Sequence, residues 1–600
     1  MQVVREHRDE LILRIRVMKG IVSGLLIAIA AGFWFAQLVQ GEYYRELAEN
    51  NRLRKLPIKA PRGLIFDRKG RLLVENIPSY NLMLDRSRSA DLGRSLALAS
   101  EVLERPLADL QALLGRYQAT PEFKPVLLAE NMTLSQVARL GVVSLEYPEF
   151  EVEVHHLRLY RHREQTAHLL GYLGEVTEKE LAESGGLYSP GDLAGKKGIE
   201  QTYDKELRGE DGERVVVVDS RGELLEEYGM KPAVPGKNLT LALDLDLQQE
   251  AARWLDGPEK VGAIVAMDPR NGEILAMVSS PSYNPNIFAR RLQANEWKAL
   301  IEAPYHPLQN RAIQNTYSPG STFKIVMATA GLTEGIVDKH TTVHCSGSRA
   351  FYGRSFRCWK AGGHGTVDAH RALKLSCDVY FYLLGQKLGI ERIAKYSRLF
   401  GLGSPTGVEI AGEKSGLVPD PAWSEKVRRH KWYPGETISV SIGQGPVLMT
   451  PLQMATMTGM VANGGYKVVP HLVQGAKVAP PQHVPLDEDA LRIVREGLWA
   501  VVNEPGGTAY HSARVVGADM AGKTGTVQVI AQAARTDAKA LPFKYRDHAW
   551  FTSFAPLENP RLVVVIFAEH GGSGSRSAAP IAQALHAKFF APDLKHPVVH

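Results

Sequence analysis

Residues 21–39 read IVSGLLIAIAAGFWFAQLV, a run of 19 without a charge. As a helix, that length just spans the hydrocarbon core of a bilayer. A helix buried in a soluble core rarely stays apolar on every side. Trp34 and Phe35 lie inside the run, and Tyr43 and Tyr44 follow at the depth where aromatic rings anchor to an interface. A cleaved signal would have a shorter apolar stretch and a small-residue cleavage site, which Val39-Gln40-Gly41-Glu42 supplies poorly. An uncleaved anchor is therefore expected. Arg5, Arg8, Arg14, Arg16 and Lys19 precede it, against Arg45, Arg52 and Arg54 after it. That bias places the N-terminal tail in the cytoplasm and nearly all of the chain on the far side.

The rest reads as an ordinary globular chain. It is 44% hydrophobic and 23% charged, which excludes wholesale disorder. The 71 basic and 65 acidic residues are well mixed and leave a net charge of only +6, which argues against a dedicated nucleic-acid binder. No repeat of solenoid period is present. At 600 residues the chain is too long for one compact unit.

Residues 42–51 read as a short helical continuation, broken by Pro57, Pro61 and Gly63. Short strands follow around a turn at Asp67–Gly70. Residues 89–117 carry apolar side chains at helical steps, among them Leu92, Leu96, Ala99 and Leu103. Residues 150–154 and 213–219 alternate like strands, and 198–207 open a helix. Pro232, Pro235 and Gly236 mark a boundary. Beyond it, 239–243 is expected as a strand, 247–255 as a helix, and 261–267 with 273–278 as a hairpin turning at Asp268–Gly272. Residues 549–555 and 562–568 form a second hairpin, and 578–590 a closing helix. Strands at both ends with helices between predict an α+β fold, an antiparallel sheet covered by helices.

Three short strings carry chemistry. Ser321-Thr322-Phe323-Lys324 follows Pro319-Gly320 and opens an apolar helix, which puts Ser321 and Lys324 on one face. A serine hydroxyl needs a nearby base, and a lysine serves if burial and a helix N-terminus favour its neutral form. Ser376-Cys377-Asp378 precedes an aromatic helix; as an isolated string it reads as a plain N-cap. Lys523-Thr524-Gly525-Thr526 runs into a strand-like alternation. There the glycine admits a substrate backbone, Lys523 and Thr524 suit a carboxylate, and the Thr526 N–H suits an oxyanion. Each string is common by chance. The ordered set S-x-x-K, S-x-N/D, K-T-G belongs to the serine acyl-transferases that react with penicillin. Residues 517–524 also fit G-x-x-x-x-G-K-T literally, the pattern of a P-loop. Gly525 and the β-branched Thr526, Val527 and Val529 then follow where a P-loop needs a helix, so the match is a decoy.

With these residues, the chain resembles a class B penicillin-binding protein, closest to the elongation-type penicillin-binding protein 2 group. The likeness runs over nearly all of it: the anchor, RGLIFDRKG from Arg62, GIE from Gly198 through Tyr203, AIVAMDPRNGEILAM from Ala263, YSPGSTFK and GKTGTVQ. Asp378 stands where most of the family has Asn. The resemblance implies a tail at 1–20, an anchor at 21–39, a pedestal or dimerisation-like domain at 40–235 and a transpeptidase domain at 236–600. It implies a D,D-transpeptidase that cross-links peptidoglycan stem peptides during elongation and shape maintenance, without a glycosyltransferase activity. Ser321 would be the nucleophile, Lys324 its base, and Ser376 and Asp378 the proton network. Lys523, Thr524, Gly525 and Thr526 would bind the terminal carboxylate and the oxyanion. Catalysis would need no cofactor. Implied partners are stem peptides, β-lactams, the membrane, a polytopic shape-class glycosyltransferase and other elongation-complex proteins. The compartment would be the bacterial inner membrane with the catalytic domain in the periplasm. A membrane-anchored β-lactamase or β-lactam sensor of the same superfamily is the alternative.

All three cysteines of the chain lie between Cys345 and Cys377. With His364 they form the set Cys345, Cys358, His364 and Cys377, without the C-x₂-C knuckle of common zinc sites. A structural zinc accounts for all three thiols, and His344 is a substitute ligand. A Cys345–Cys358 disulfide suits an exported domain but leaves Cys377 odd. Unconnected buried thiols are the third reading.

Overall fold

The computed structural model describes residues 2–43, 53–122, 124–218, 224–290, 292, 294–529 and 541–591. The helix Gln2–Trp34 continues through a π-helical turn, Phe35–Val39. Residues Leu11–Val39 are long and apolar enough to cross a membrane and bury nothing against the rest of the chain. The span starts earlier than its uncharged run because a helix tolerates Arg14, Arg16 and Lys19 near an interface, where long side chains reach water. The helical continuation expected over 42–51 lies outside the described residues beyond Tyr43, as does Asp219 of the expected strand 213–219.

Two compact units follow from the chain's contacts. The first includes residues 78–156 and 209–236. Its helices Leu92–Leu103, Leu107–Gly115 and Leu134–Val143 bury Leu96, Ala99, Leu110 and Leu140 against Leu82, Leu84 and Leu128 of the neighbouring strands. Caps set the helix starts: the Asp91 carboxylate accepts from the Arg94 N–H, and Thr133 with Gln136 forms a reciprocal capping box. Leu53–Ile58, Gly212–Val218 and Leu224–Lys231 make a separate antiparallel sheet.

The second unit comprises 62–77, 157–208 and 237–600. Its sheet has strands β1 (Gly262–Met267), β2 (Ile274–Ser280), β3 (Ala521–Val527), β4 (His548–Ala555) and β5 (Leu562–Ala568). Their order is β2-β1-β5-β4-β3, antiparallel throughout. The sheet divides two cores. Ala263, Val265, Val563, Val565 and Phe567 face one, and Ile264, Ala266, Val564 and Ile566 the other. The strict alternation of near-continuous apolar strands is what allows helices on both faces. On the first face lie α1 (Lys324–Thr333), α2 (Ala369–Lys374), α3 (Asp378–Leu399), α4 (Pro451–Ala462) and α5 (Glu488–Asn503). On the second lie the helix Leu245–Trp254 and the closing helix α6 (Ala579–Phe590).

Three local expectations shift. Residues 239–243 pair only over Leu239–Thr240, because Leu241–Leu243 turn inward and Asp244 caps a helix that starts at Leu245, two residues early. The strand foreseen over 150–154 extends as Phe150–Tyr160. Buried Arg158 interrupts its apolar pattern; its Nε donates to Glu200 and its Nη1 to Asn76 and the Gly63 carbonyl. That arginine belongs to a buried ion network. Glu200 is fully buried and accepts from Arg158 at 2.8 Å and Arg62 at 2.7 Å, and Arg62 also reaches Asp204 at 2.7 Å. Removing the carboxylate alone leaves two buried cations facing each other. Glu200→Ala is expected to cost about 3–5 kcal/mol, read as a lower denaturation midpoint, whereas an exposed pair such as Lys179–Glu183 is expected to change it by less than about 1 kcal/mol.

Candidate active site and thiol cluster

The segment bearing Ser321 opens as a 3₁₀ turn, Gly320–Phe323, and becomes helical at Lys324. The sequence predicts an α-helix from Ser321. The tighter turn also stacks residues three apart, so Ser321 and Lys324 stay on one side. Gly320 has φ +55°, and a Cβ there would stand 3.0 Å from the Thr526 carbonyl. A Cβ on Gly525 would meet Trp550 at 2.9 Å and Thr322 at 3.1 Å. The turn carrying Ser321 therefore rests directly on β3, the strand carrying Lys523, Thr524, Gly525 and Thr526. Trp550 on β4 fastens the turn by donating from Nε1 to the Ser318 carbonyl at 3.0 Å.

The middle motif is the link between two helices. Ser376 closes α2 in the left-handed region, φ +53°, and the Cys377 N–H donates to the Ala372 carbonyl at 2.9 Å. Cys377 is the N-cap of α3 and makes no side-chain cap bond. Neither Ser376 nor Asp378 is therefore the N-cap that the isolated string suggests. Asp378 sits in the first turn of α3, where the helix dipole favours a carboxylate.

Lys324 is fully buried, and its ammonium donates to three acceptors on that link. They are the Ser376 carbonyl at 2.9 Å, Ser376 Oγ at 3.2 Å and Asp378 Oδ1 at 2.6 Å. An ammonium has three N–H groups, so the geometry saturates it. Lys523 is fully buried too, with Nζ 3.3 Å from the Thr524 carbonyl. Burial pushes its pKa well below the usual lysine value, the Lys324 charge pushes it further, and Asp378 opposes them. The structure thus brings Ser321, Lys324, Ser376, Asp378 and Lys523 into one locality. Thr526 is half-buried on β3, the edge strand of the sheet, and among the described residues no further strand pairs with its outer side, the side an extended ligand would join. The literal P-loop string ends inside that strand, and no helix follows Thr524 as phosphate binding requires.

Two neighbours escaped the sequence reading. Thr508 Oγ1 lies 2.8 Å from Thr524 Oγ1. Trp359 is 60% exposed; its backbone N–H donates to Asp378 Oδ2 at 2.9 Å and its indole N–H to the Leu375 and Ser376 carbonyls at 3.1 Å. Only its place beside Cys358 could have flagged it.

Cys345, Cys358, His364 and Cys377 are all buried, with ligand atoms within 4.8 Å of one another. His364 Nδ1 is 3.7 Å from the Cys345 sulfur and 3.5 Å from the Cys358 sulfur. No disulfide joins the three thiols, so the Cys345–Cys358 pairing is not formed. A tetrahedral zinc needs ligand atoms about 3.5–3.8 Å apart, so the donor set fits that ion in number and softness, and the two His364–sulfur distances match its spacing, within a cluster that spreads up to 4.8 Å. The Cys377 thiol, donating to Cys358, holds Cys358 well toward the thiolate, and its own pKa is raised. His344 is exposed and stands outside the cluster, beside Thr366. The cluster touches the middle motif directly: the Asp378 N–H donates to Cys358 Sγ at 3.4 Å.

A family profile described as the penicillin binding protein transpeptidase domain matches residues 262–587, more than half of the chain. The chain belongs to this family. A second profile, the penicillin-binding protein dimerisation domain, matches residues 57–241. The peptidoglycan D,D-transpeptidase MrdA of Acinetobacter baumannii is 37% identical over 95% of this chain and 86% of its own length. A penicillin-binding protein 2 of Helicobacter pylori, solved in complex with MreC, is 30% identical with a TM-score of 0.81, covering 90% of this chain and 99% of its own. A chain from a peptidoglycan synthase complex is 33% identical with a TM-score of 0.73, covering 98% of this chain and 100% of its own.

The Lys523 shift gives this penicillin-binding transpeptidase a pH signature. The folded lysine releases its proton below its unfolded value, so between the two the unfolded chain binds more protons and stability rises with pH. Penicillin capture that relies on a Lys523 cation is expected to weaken on the alkaline side, below the ordinary lysine range. Asp378→Asn removes the charge that supports this cation, so the alkaline limb of the acylation rate is expected to move to lower pH. A limb that stays in place would show that Lys523 does not govern it.

Proposed function

We propose that Ser321 is the nucleophile of this peptidoglycan D,D-transpeptidase. The observation that carries the assignment is the buried Lys324 ammonium, bonded to both Ser376 and Asp378 one helical step from Ser321. Asp378 at 2.6 Å is the group able to take a proton from Lys324 and free its amine. The amine then takes the Ser321 Oγ proton as that oxygen attacks the penultimate D-Ala carbonyl. The C–N bond to the terminal D-Ala breaks, the departing nitrogen regains a proton through Lys324 and Ser376, and an ester to Ser321 remains. An amine on a neighbouring stem peptide displaces the ester and restores the serine. Lys523, Thr524 and Gly525 hold the terminal carboxylate and admit its backbone, and the Ser321 and Thr526 N–H groups stabilise the oxyanion. β-Lactams acylate the same oxygen. The reaction needs no cofactor.

Residues 1–20 form the cytoplasmic tail, 21–39 the anchor, 40–235 the pedestal and 236–600 the catalytic domain, which works in the periplasm at the inner membrane. The pedestal serves elongation-complex partners, among them a polytopic glycosyltransferase of the shape-determining class. The H. pylori relative solved with MreC supports this reading. Cys345, Cys358, His364 and Cys377 would hold a structural zinc with four protein ligands and no open position. Held by those four residues, a zinc would tie the Cys358 segment to the Cys377 segment that leads into Asp378.

Fluorescent penicillin is expected to label the wild-type chain and leave Ser321→Ala unlabelled, with the adduct held for minutes or longer. Rapid release would favour the β-lactamase alternative. Protein purified without chelators is expected to carry one zinc per chain, and Cys358→Ser to lose it. Metal-free wild-type protein would overturn the zinc assignment alone.

A further inference from the structure

Between Val343 and Val367 the sequence has four cationic residues, Arg349, Arg354, Arg357 and Lys360, and no carboxylate. Ser348–Phe351 and Arg354–Arg357 fold there into a hairpin. Its apolar side is fastened to α3: the Phe351 and Phe356 rings lie 6.2 and 5.6 Å from the Tyr382 ring, and the Tyr382 hydroxyl donates to the Arg357 carbonyl at 3.1 Å. The four cations are exposed. So is Tyr352 at the tip.

A second basic segment meets this tip. A Cβ on Gly435 would stand 4.0 Å from the Tyr352 ring. Just before it, Arg428 is held by Glu436 at 2.5 Å and lies over the Trp423 and Trp432 rings. That leaves Lys426, Arg429 and Lys431 exposed beside the exposed Tyr433. Among the described residues, none of Arg349, Arg354, Arg357, Lys360, Lys426, Arg429 and Lys431 is paired with a carboxylate within 4.0 Å. On a chain whose net charge is only +6, seven unpaired cations with three exposed aromatic rings form a local field, not an average surface. The third ring is Trp359, whose N–H groups bond Asp378 and Ser376. The surface therefore begins at the active site, on the Ser376 side of the nucleophile.

We propose that this hairpin and the 424–433 segment bind the second, acceptor strand of uncross-linked peptidoglycan. The inference rests on the transpeptidase reading above. Such a strand is a polyanion, since each stem peptide carries free carboxylates, and its sugars present C–H faces that stack on aromatic rings. Both match the groups displayed here. The donor's terminal carboxylate is assigned to the Lys523 strand, so a second carboxylate-bearing strand needs a separate cationic surface. This surface supplies it, and its Trp359 edge bonds Asp378 and Ser376.

The test uses the full-length chain in detergent, with two double variants on separate segments, Arg349→Gln/Arg354→Gln and Lys426→Gln/Lys431→Gln. Probes are purified uncross-linked glycan strands, the same strands stripped of stem peptides, and phosphatidylglycerol vesicles. Each variant is expected to bind intact strands more weakly by roughly fivefold or more, with a difference that shrinks at high salt. Fluorescent-penicillin acylation is expected to stay at the wild-type rate, and stripped strands to bind weakly to every form. Unchanged strand affinity in both variants would overturn the proposal. So would a parallel fall in penicillin acylation, which would make the segments structural, or a loss confined to vesicles, which would make the surface a lipid contact. A wild-type chain that penicillin does not acylate would instead overturn the transpeptidase reading itself.

Discussion

Everything in the candidate site depends on placing one ammonium where water cannot reach it. Lys324 is fully buried, and a buried charge is tolerated only when every proton finds an acceptor. Ser376 gives it two and Asp378 a third. This requirement explains the local fold. The Ser376 carbonyl faces Lys324 because the residue adopts a left-handed conformation, which also turns the chain from α2 into α3 across a three-residue link. The cost of that backbone, roughly 1–2 kcal/mol, is offset by the bonds it makes possible.

The same link is gripped from behind. Cys377 lies in the thiol cluster, Cys358 accepts the Asp378 N–H, and Trp359 donates to the other Asp378 oxygen. Asp378 thus has one oxygen on Lys324 and one on the Cys358–Trp359 segment. A change in the cluster would be felt first at this carboxylate, without any movement of Ser321. A structural metal there would act on geometry, through the segments that hold Asp378.

Much of this was legible in the sequence, for identifiable reasons. The three strings are close-range patterns, and their order along the chain is itself a signal. The strands β1, β2, β4 and β5 read as near-continuous apolar runs because both faces of the sheet are covered. What escaped was set by long-range contact. Thr508 and Trp359 lie 16 and 19 residues from the side chains they bond, and neither belongs to a motif. Arg158 hid the second half of its strand because its partners Gly63 and Glu200 are 95 and 42 residues away. The 3₁₀ turn at Gly320–Phe323 was missed because it follows from packing on β3 and not from helix propensity. The four ligand candidates could be grouped from their crowding along the chain, but their spacing matched no common pattern, so only the fold could show that they converge.

The central claim is that Lys324 and Asp378 act as one unit on Ser321. A double-mutant cycle on the second-order rate constant of penicillin acylation tests it most directly, using Lys324→Ala, Asp378→Asn and the double variant, with folding checked by thermal melting. Lys324→Ala is expected to slow acylation by about 10²–10⁴-fold, the range of a lost general base. Adding Asp378→Asn to that background, measured at a pH below the alkaline limb, should then cost little, because the residue has lost the ammonium through which it acts on Ser321. Full additivity of the two losses, or a Lys324→Ala chain that acylates at the wild-type rate, would contradict the account.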